Sequence, residues 1–95
     1  MRAYEVLYII RPDLDDEAIA AEVDKFAEVV TNNGGTDLTL DKWGKRRLAY
    51  EIKDFLDGYY VLMNFKGEAR TAQELERIMK ISDNVLRFLT TKKDD

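Results

Sequence analysis

The run Trp43-Gly44-Lys45-Arg46-Arg47-Leu48-Ala49-Tyr50 holds three cations between two aromatic side chains. Lysine and arginine bind phosphate, and arginine and aromatic planes stack on exposed bases, so the chemistry this run offers is contact with a nucleic acid. The same composition also describes a solvated edge strand guarded by charge against aggregation. Arg2 near the N-terminus and Arg87 near the C-terminus could extend the basic patch. Other chemistries have little to work with. Zero cysteines remove disulfides, thiol nucleophiles and thiolate metal sites, and fit a reducing cytosol. Zero histidines remove the commonest general acid–base near neutral pH and the commonest metal ligand. The reading is of a protein without enzymatic activity, cofactor or metal.

The net charge of −4 argues against nucleic acid if taken alone. The distribution says more. Asp13, Asp15, Asp16, Glu17, Glu22, Asp24 and Glu28 stand against Lys25 in one stretch, and Lys42, Lys45, Arg46, Arg47 and Lys53 against Glu51 in another. The chain is polarised into an acidic and a basic element.

The elements that must position these residues follow from periodicity. Ninety-five residues with 45% hydrophobic content suit one globular domain, 1–95, with no linker or repeat. No apolar run reaches the ~18 residues of a membrane span, and the N-terminus lacks a signal-peptide layout. Arg2 to Ile10 reads as a strand ended by Pro12, and Asp13 as the N-cap of a helix with Asp15, Asp16 and Glu17 in its first turn. Ile19, Val23, Phe26 and Val30 recur at helical spacing, and Asn32-Asn33-Gly34-Gly35 stops the helix. Thr36 to Lys53 reads as a long strand with a bulge near Trp43-Gly44. Asp57-Gly58 reads as a hairpin turn into a strand from Tyr59 to Lys66. Thr71 and Glu74 have capping-box spacing for a second helix ending near Ile81, with Leu75, Ile78 and Met79 on its apolar face. Val85 to Thr91 reads as the last strand, followed by a short polar end, Lys92-Lys93-Asp94-Asp95.

The order β-α-β-β-α-β is the split βαβ of the ferredoxin-like α+β architecture, with a four-stranded antiparallel sheet and both helices on one face. The other face is then uncovered. Alternation in the first strand puts Tyr4, Val6, Tyr8 and Ile10 on one side and Ala3, Glu5, Leu7 and Ile9 on the other; both sides are largely apolar. A sizeable exposed apolar patch is expected, of the kind that marks a partner site or a self-dimer.

Four segments together carry a family likeness: Met1-Arg2-Ala3-Tyr4-Glu5, Trp43 to Ile52, Gly58-Tyr59-Tyr60 and Asp83-Asn84-Val85-Leu86-Arg87. In order and spacing they resemble the bacterial small-subunit ribosomal protein six family, over essentially all 95 residues. The resemblance implies a ferredoxin-like component of the ribosomal small subunit, cytoplasmic and ribosome-bound. It implies binding to small-subunit (16S) rRNA in the central domain, or platform, as a heterodimer with ribosomal protein eighteen, in support of subunit assembly. Matched by motif, RNA contact falls to Arg2, Lys45, Arg46, Arg47 and Arg87, with Trp43 and Asn84 beside them. Glu5, Leu7 and Tyr60 are assigned to the protein-partner face. A strongly basic partner would suit an acidic platform and supply much of the phosphate attraction, so the isolated chain is expected to bind RNA weakly, and to self-associate through the open face when free. Some members carry a long acidic C-terminal tail; this sequence ends at Asp95.

Three other functions fit the topology less well. An RNA-recognition motif needs alternating aromatics on its third strand, where this chain has Val61 and Asn64. A metabolite-binding module shares the fold, but no glycine-rich phosphate loop accompanies it. An acyl-phosphate hydrolase needs an anion-cradling loop after the first strand, where Arg11-Pro12-Asp13-Leu14-Asp15 is acidic and lacks glycine.

Overall fold

The computed structural model describes residues 1–93. Six elements follow in order: β1 (Arg2–Ile10), α1 (Asp16–Asn32), β2 (Thr36–Ile52), β3 (Phe55–Gly67), α2 (Ala69–Ile81) and β4 (Val85–Lys93). The sheet runs β2-β3-β1-β4 with every neighbouring pair antiparallel, so the ferredoxin-like arrangement expected from the periodicities is present. β4 continues through Lys92 and Lys93, where Lys93 pairs with Ala3; the polar end read from the sequence is therefore strand up to that residue, and Asp94 and Asp95 lie outside the described residues.

One face of the sheet is closed by the two helices. Ile19, Val23, Phe26 and Val30 of α1 and Leu75 and Met79 of α2 pack on Tyr4, Val6, Tyr8 and Ile10 of β1 and Val61, Met63 and Phe65 of β3. Tyr8 meets Phe26 edge to face at 5.3 Å. Burial, with Glu22 as the next cause, holds the Tyr8 phenol well above its ordinary range. Its hydroxyl has no hydrogen-bond partner among the described residues.

Local chemistry moves several boundaries. The N-cap of α1 is Asp15, not Asp13: its carboxylate accepts a 2.8 Å hydrogen bond from the Ala18 N–H, while Asp13 is occupied by Arg11 at 2.7 Å. Asp15→Ala is expected to cost about 1 kcal/mol in a urea titration, the usual worth of an N-cap. A loss below about 0.3 kcal/mol would show that the cap contributes nothing. Thr71 is not a cap either, since α2 begins at Ala69. It is wholly buried and donates a 2.7 Å hydrogen bond to the Asn33 carbonyl, tying the first turn of α2 to the end of α1.

The hairpin turn also differs from the Asp57-Gly58 expectation. Ile52 pairs with Phe55, so the turn is Lys53-Asp54, with φ of 48° and 69°. Both central residues are left-handed, as in the primed turns that match strand twist. Gly58 lies inside β3 opposite Arg46. An added Cβ there would come within 2.2 Å of Ile9 Cγ2. Its role is close packing. The expected bulge is present: pairing shifts between Lys42 and Gly44, and Gly44 has φ 83°.

Candidate nucleic-acid interface

The uncovered face is built from rows that cross all four strands. Gly44, Tyr60, Ile9 and Arg87 make one row; Asp41, Leu62, Leu7 and Leu89 the next; Thr39, Asn64, Glu5 and Thr91 the third. Glu5, Leu7 and Tyr60 therefore all stand on this face, as β periodicity requires. Glu5 pairs with Lys93 at 3.2 Å.

The apolar patch is smaller than the alternation suggested. Pairing between β2 and β3 skips irregularly between Arg47 and Ile52, and the hairpin end turns over the sheet. Leu48 of β2 then buries Ile9 and Leu86 in a second small core flanked by Ile52, Phe55 and Tyr60. Half-buried Leu7 and Leu62 remain, beside Leu89 at 64% exposed.

Next to this strip lies the aromatic and cationic cluster. The bulge lets Trp43 stack on Tyr60 at 6.1 Å with the rings 9° from parallel. The indole N–H donates to Asp41 at 3.2 Å, and the Arg46 guanidinium sits 5.0 Å from the indole centroid. Each such cation–π contact is worth about 0.5–1 kcal/mol at an exposed site and holds the guanidinium plane in place. Farther along, the Arg87 guanidinium lies 5.7 Å from the Tyr50 ring, which is itself 59% exposed. The turned-over hairpin thus joins Arg87 of β4 to the basic run of β2.

The pleat divides the three cations of that run. Arg46, opposite Gly58, belongs to the uncovered face. Lys45 and Arg47, opposite Tyr59 and Asp57, alternate to the other side and are exposed there. Asn84 is half-buried before β4; its carbonyl accepts from Arg11 N–H at 2.9 Å and its own N–H donates to Ser82 Oγ at 3.2 Å. Arg11 also sits 5.3 Å from the Phe55 ring, and holds the Asp13 carboxyl below its usual range. Arg2 does not extend the patch. It pairs with Gly67, seven residues from Ile9 along β1, or roughly 23 Å at the rise of a strand. Two cations that the motif matching left out, Lys53 of the hairpin turn and Lys80 of α2, line one groove with Arg87. Their proximity depends on tertiary contacts, and only the basic count of the Lys42–Lys53 stretch hinted at the first of them.

Among the described residues no cluster of three or more acidic side chains is placed to hold a metal ion, and no helix is long and apolar enough to cross a membrane. What the face offers is planar cations, aromatic planes and an adjoining apolar strip.

Comparison with known proteins gives one consistent result. The family model described as Ribosomal protein S6 matches residues 3–92. The chain is 77% identical to a small ribosomal subunit protein bS6 of Desulfitobacterium hafniense, over the full length of both. It is 53% identical to the protein of that name in Heliobacterium modesticaldum, covering all of this chain and 99% of the relative. Its fold matches the crystal structure of 30S ribosomal protein S6 from Thermotoga maritima with a TM-score of 0.91 and 28% identity, over 97% of this chain and 87% of the other.

Proposed function

Since the chain belongs to the ribosomal protein S6 family, a structural and non-enzymatic component of the small ribosomal subunit in the cytoplasm, we propose that it binds 16S rRNA of the central domain as a heterodimer with ribosomal protein eighteen and so supports subunit assembly. Residues 1–95 act in this as one domain. The observation that carries the reading is the continuity of two surfaces. The Arg46–Trp43 pair offers a cationic and an aromatic plane to RNA, and Tyr60, on which Trp43 stacks, continues into the Leu62–Leu7–Leu89 row, which offers an apolar seat to a protein.

In this assignment Arg46, Lys45, Arg47 and Arg87 contact the rRNA, with Trp43 and Asn84 beside them and Arg2 making a separate contact from the far end of β1. Glu5, Leu7 and Tyr60 seat the partner. The charge balance supports the division. A chain of net charge −4 with exposed carboxylates along α1 attracts a basic partner, and the pair then presents more cations to phosphate than the chain does alone. Free of its partner, the chain binds rRNA weakly, and the same apolar row is available for self-association.

The test is a pull-down of tagged full-length chain from bacterial lysate, followed by mass spectrometry and RNA sequencing. Wild type is expected to retain ribosomal protein eighteen and 16S rRNA. Arg46→Ala with Arg47→Ala is expected to lose most of the rRNA while remaining within roughly 0.5 kcal/mol of wild-type stability, as exposed substitutions usually do. Undiminished rRNA recovery by the folded double variant would remove these two residues from the interface. Recovery of neither partner by the wild type would overturn the assignment.

A further inference from the structure

We propose that Asn33-Gly34, at the joint between the end of α1 and the start of α2, is a site of spontaneous deamidation that the Thr71 hydroxyl holds shut in the folded protein. An asparagine followed by glycine is the pair most open to this reaction, because glycine has no Cβ to keep its nitrogen from the asparagine side chain. The Gly34 nitrogen loses its proton and attacks Asn33 Cγ. A bond forms between the two, the Cγ–Nδ2 bond breaks, and ammonia leaves behind a five-membered succinimide. Water then opens either carbonyl of the ring, giving aspartate or isoaspartate at position 33. Solvent reaches the pair, since Asn33 is half-buried and Gly34 exposed.

The groups that the reaction needs are all held elsewhere. The Asn33 side-chain amide donates to the Val29 carbonyl at 2.7 Å. The Gly34 N–H donates to the Thr31 carbonyl at 3.3 Å, and the Asn33 N–H to the Val30 carbonyl at 3.2 Å. Ring closure requires the Gly34 nitrogen to give up its proton and the Asn33 side chain to swing toward it. Those movements break the bonds to Thr31 and Val29. A helix end alone frays at small cost, so these local bonds give little protection by themselves. Thr71 adds to that cost. It is wholly buried in α2, and its hydroxyl donates to the Asn33 carbonyl at 2.7 Å across 38 residues of sequence. The product also disturbs the joint. A carboxylate cannot donate to Val29, and it sets a negative charge at the carbonyl end of α1, whose last turn holds no basic residue. Isoaspartate further adds a carbon to the main chain, so a deamidated joint no longer closes as before.

The test incubates the full chain in mildly alkaline buffer and follows isoaspartate with an isoaspartyl methyltransferase, the position being read by peptide mass spectrometry. Folded wild type is expected to react at Asn33 at least about tenfold more slowly than chain unfolded in urea, since several hydrogen bonds must open first. Thr71→Val keeps the volume and removes the hydroxyl. It is expected to speed the reaction by about threefold to tenfold, the change in open population that one hydrogen bond is worth. Thr71→Ser keeps the hydroxyl and gives up the methyl, and is expected to stay within about twofold of wild type. Asp15→Ala, which weakens the other end of α1, is the control for a general loss of stability. Asn33→Gln is expected to abolish the signal. Equal rates for folded and urea-unfolded wild type would overturn the proposal, as would isoaspartate confined to other positions. A Thr71→Val rate no higher than that of Thr71→Ser or Asp15→Ala would overturn the part given to the hydroxyl, and the proposal with it. Amide hydrogen exchange tests wild type without any substitution: the Gly34 N–H is expected to be protected at least about tenfold over an unfolded chain, and an unprotected N–H would refute the closed joint.

Discussion

Phe26→Ala is expected to destabilise the protein by roughly 3–5 kcal/mol, the cost of removing a fully buried phenyl ring. The ring is inaccessible to solvent and meets the Tyr8 ring edge on at 5.3 Å, at the centre of the contact between α1 and the sheet. Two losses combine. The wild-type ring leaves water on folding, and the variant lacks that transfer energy. The surrounding side chains then line a void, because Val23 and Val30 are fixed to the same helix and Tyr8 to the sheet. Small domains have only about 5–15 kcal/mol in all, so this one change removes a large share. Urea unfolding followed by circular dichroism would read it directly. A loss under 1 kcal/mol would mean that α1 does not dock through the Ile19–Val30 stripe.

Gly58→Ala is expected to cost roughly 1–3 kcal/mol, the range for overpacking a filled site. The backbone there does not have a positive φ, so conformational strain is not the reason. The methyl group would fall 2.2 Å from Ile9 Cγ2 and 3.3 Å from Leu48 Cδ2, inside the small core that the hairpin end forms on the sheet. That origin has a signature. Ile9→Ala removes the obstructing group, so Gly58→Ala should cost at least 1 kcal/mol less in an Ile9→Ala background than in wild type, a coupling typical of residues in contact. Equal costs in the two backgrounds would show that contact with Ile9 is not what excludes a side chain at Gly58. Displacement of Leu48 would also disturb the hairpin that carries Tyr50 to Arg87, so the variant should weaken rRNA retention beyond its effect on stability.

These two residues also show what could be read in advance. Phe26 was legible because burial against a flat sheet imposes helical periodicity, and Ile19, Val23, Phe26 and Val30 keep it without interruption. The bulge was legible because Gly44 adopts a backbone angle that other residues resist. Asp57-Gly58 misled because a glycine required for close approach has the same letters as one required for a turn. The actual turn, Lys53-Asp54, contains neither glycine nor asparagine, so nothing local announces it. The turn lies four places before the expected one, and the start of β3 moves with it.

The site followed the same division. Alternation alone placed Glu5, Leu7 and Tyr60 on one face, because the pleat has a period of two. Proximity between distant segments was not available from alternation. Arg2 and Arg87 both looked like extensions of the basic run, yet antiparallel pairing carries Arg2 to the opposite end of β1 and brings Arg87 to Tyr50. Lys53 and Lys80 became neighbours only when α2 and the hairpin turn closed on β4.

The pairing of β1 with β4 delays completion of the sheet to the end of synthesis. β1 is the first strand to leave the ribosome that makes it, and its partners are β3 and then β4, so Ala3 waits for Lys93. Closing loops of that length costs entropy before any contact repays it, which slows such folds relative to ones rich in local contacts. α1 and the β2–β3 hairpin can form on the emerging chain, but the row through Leu7 and Leu89 and the Arg87–Tyr50 contact cannot exist until β4 has been translated. The surface that would seat a partner is completed last, so a nascent chain has no finished platform to offer prematurely.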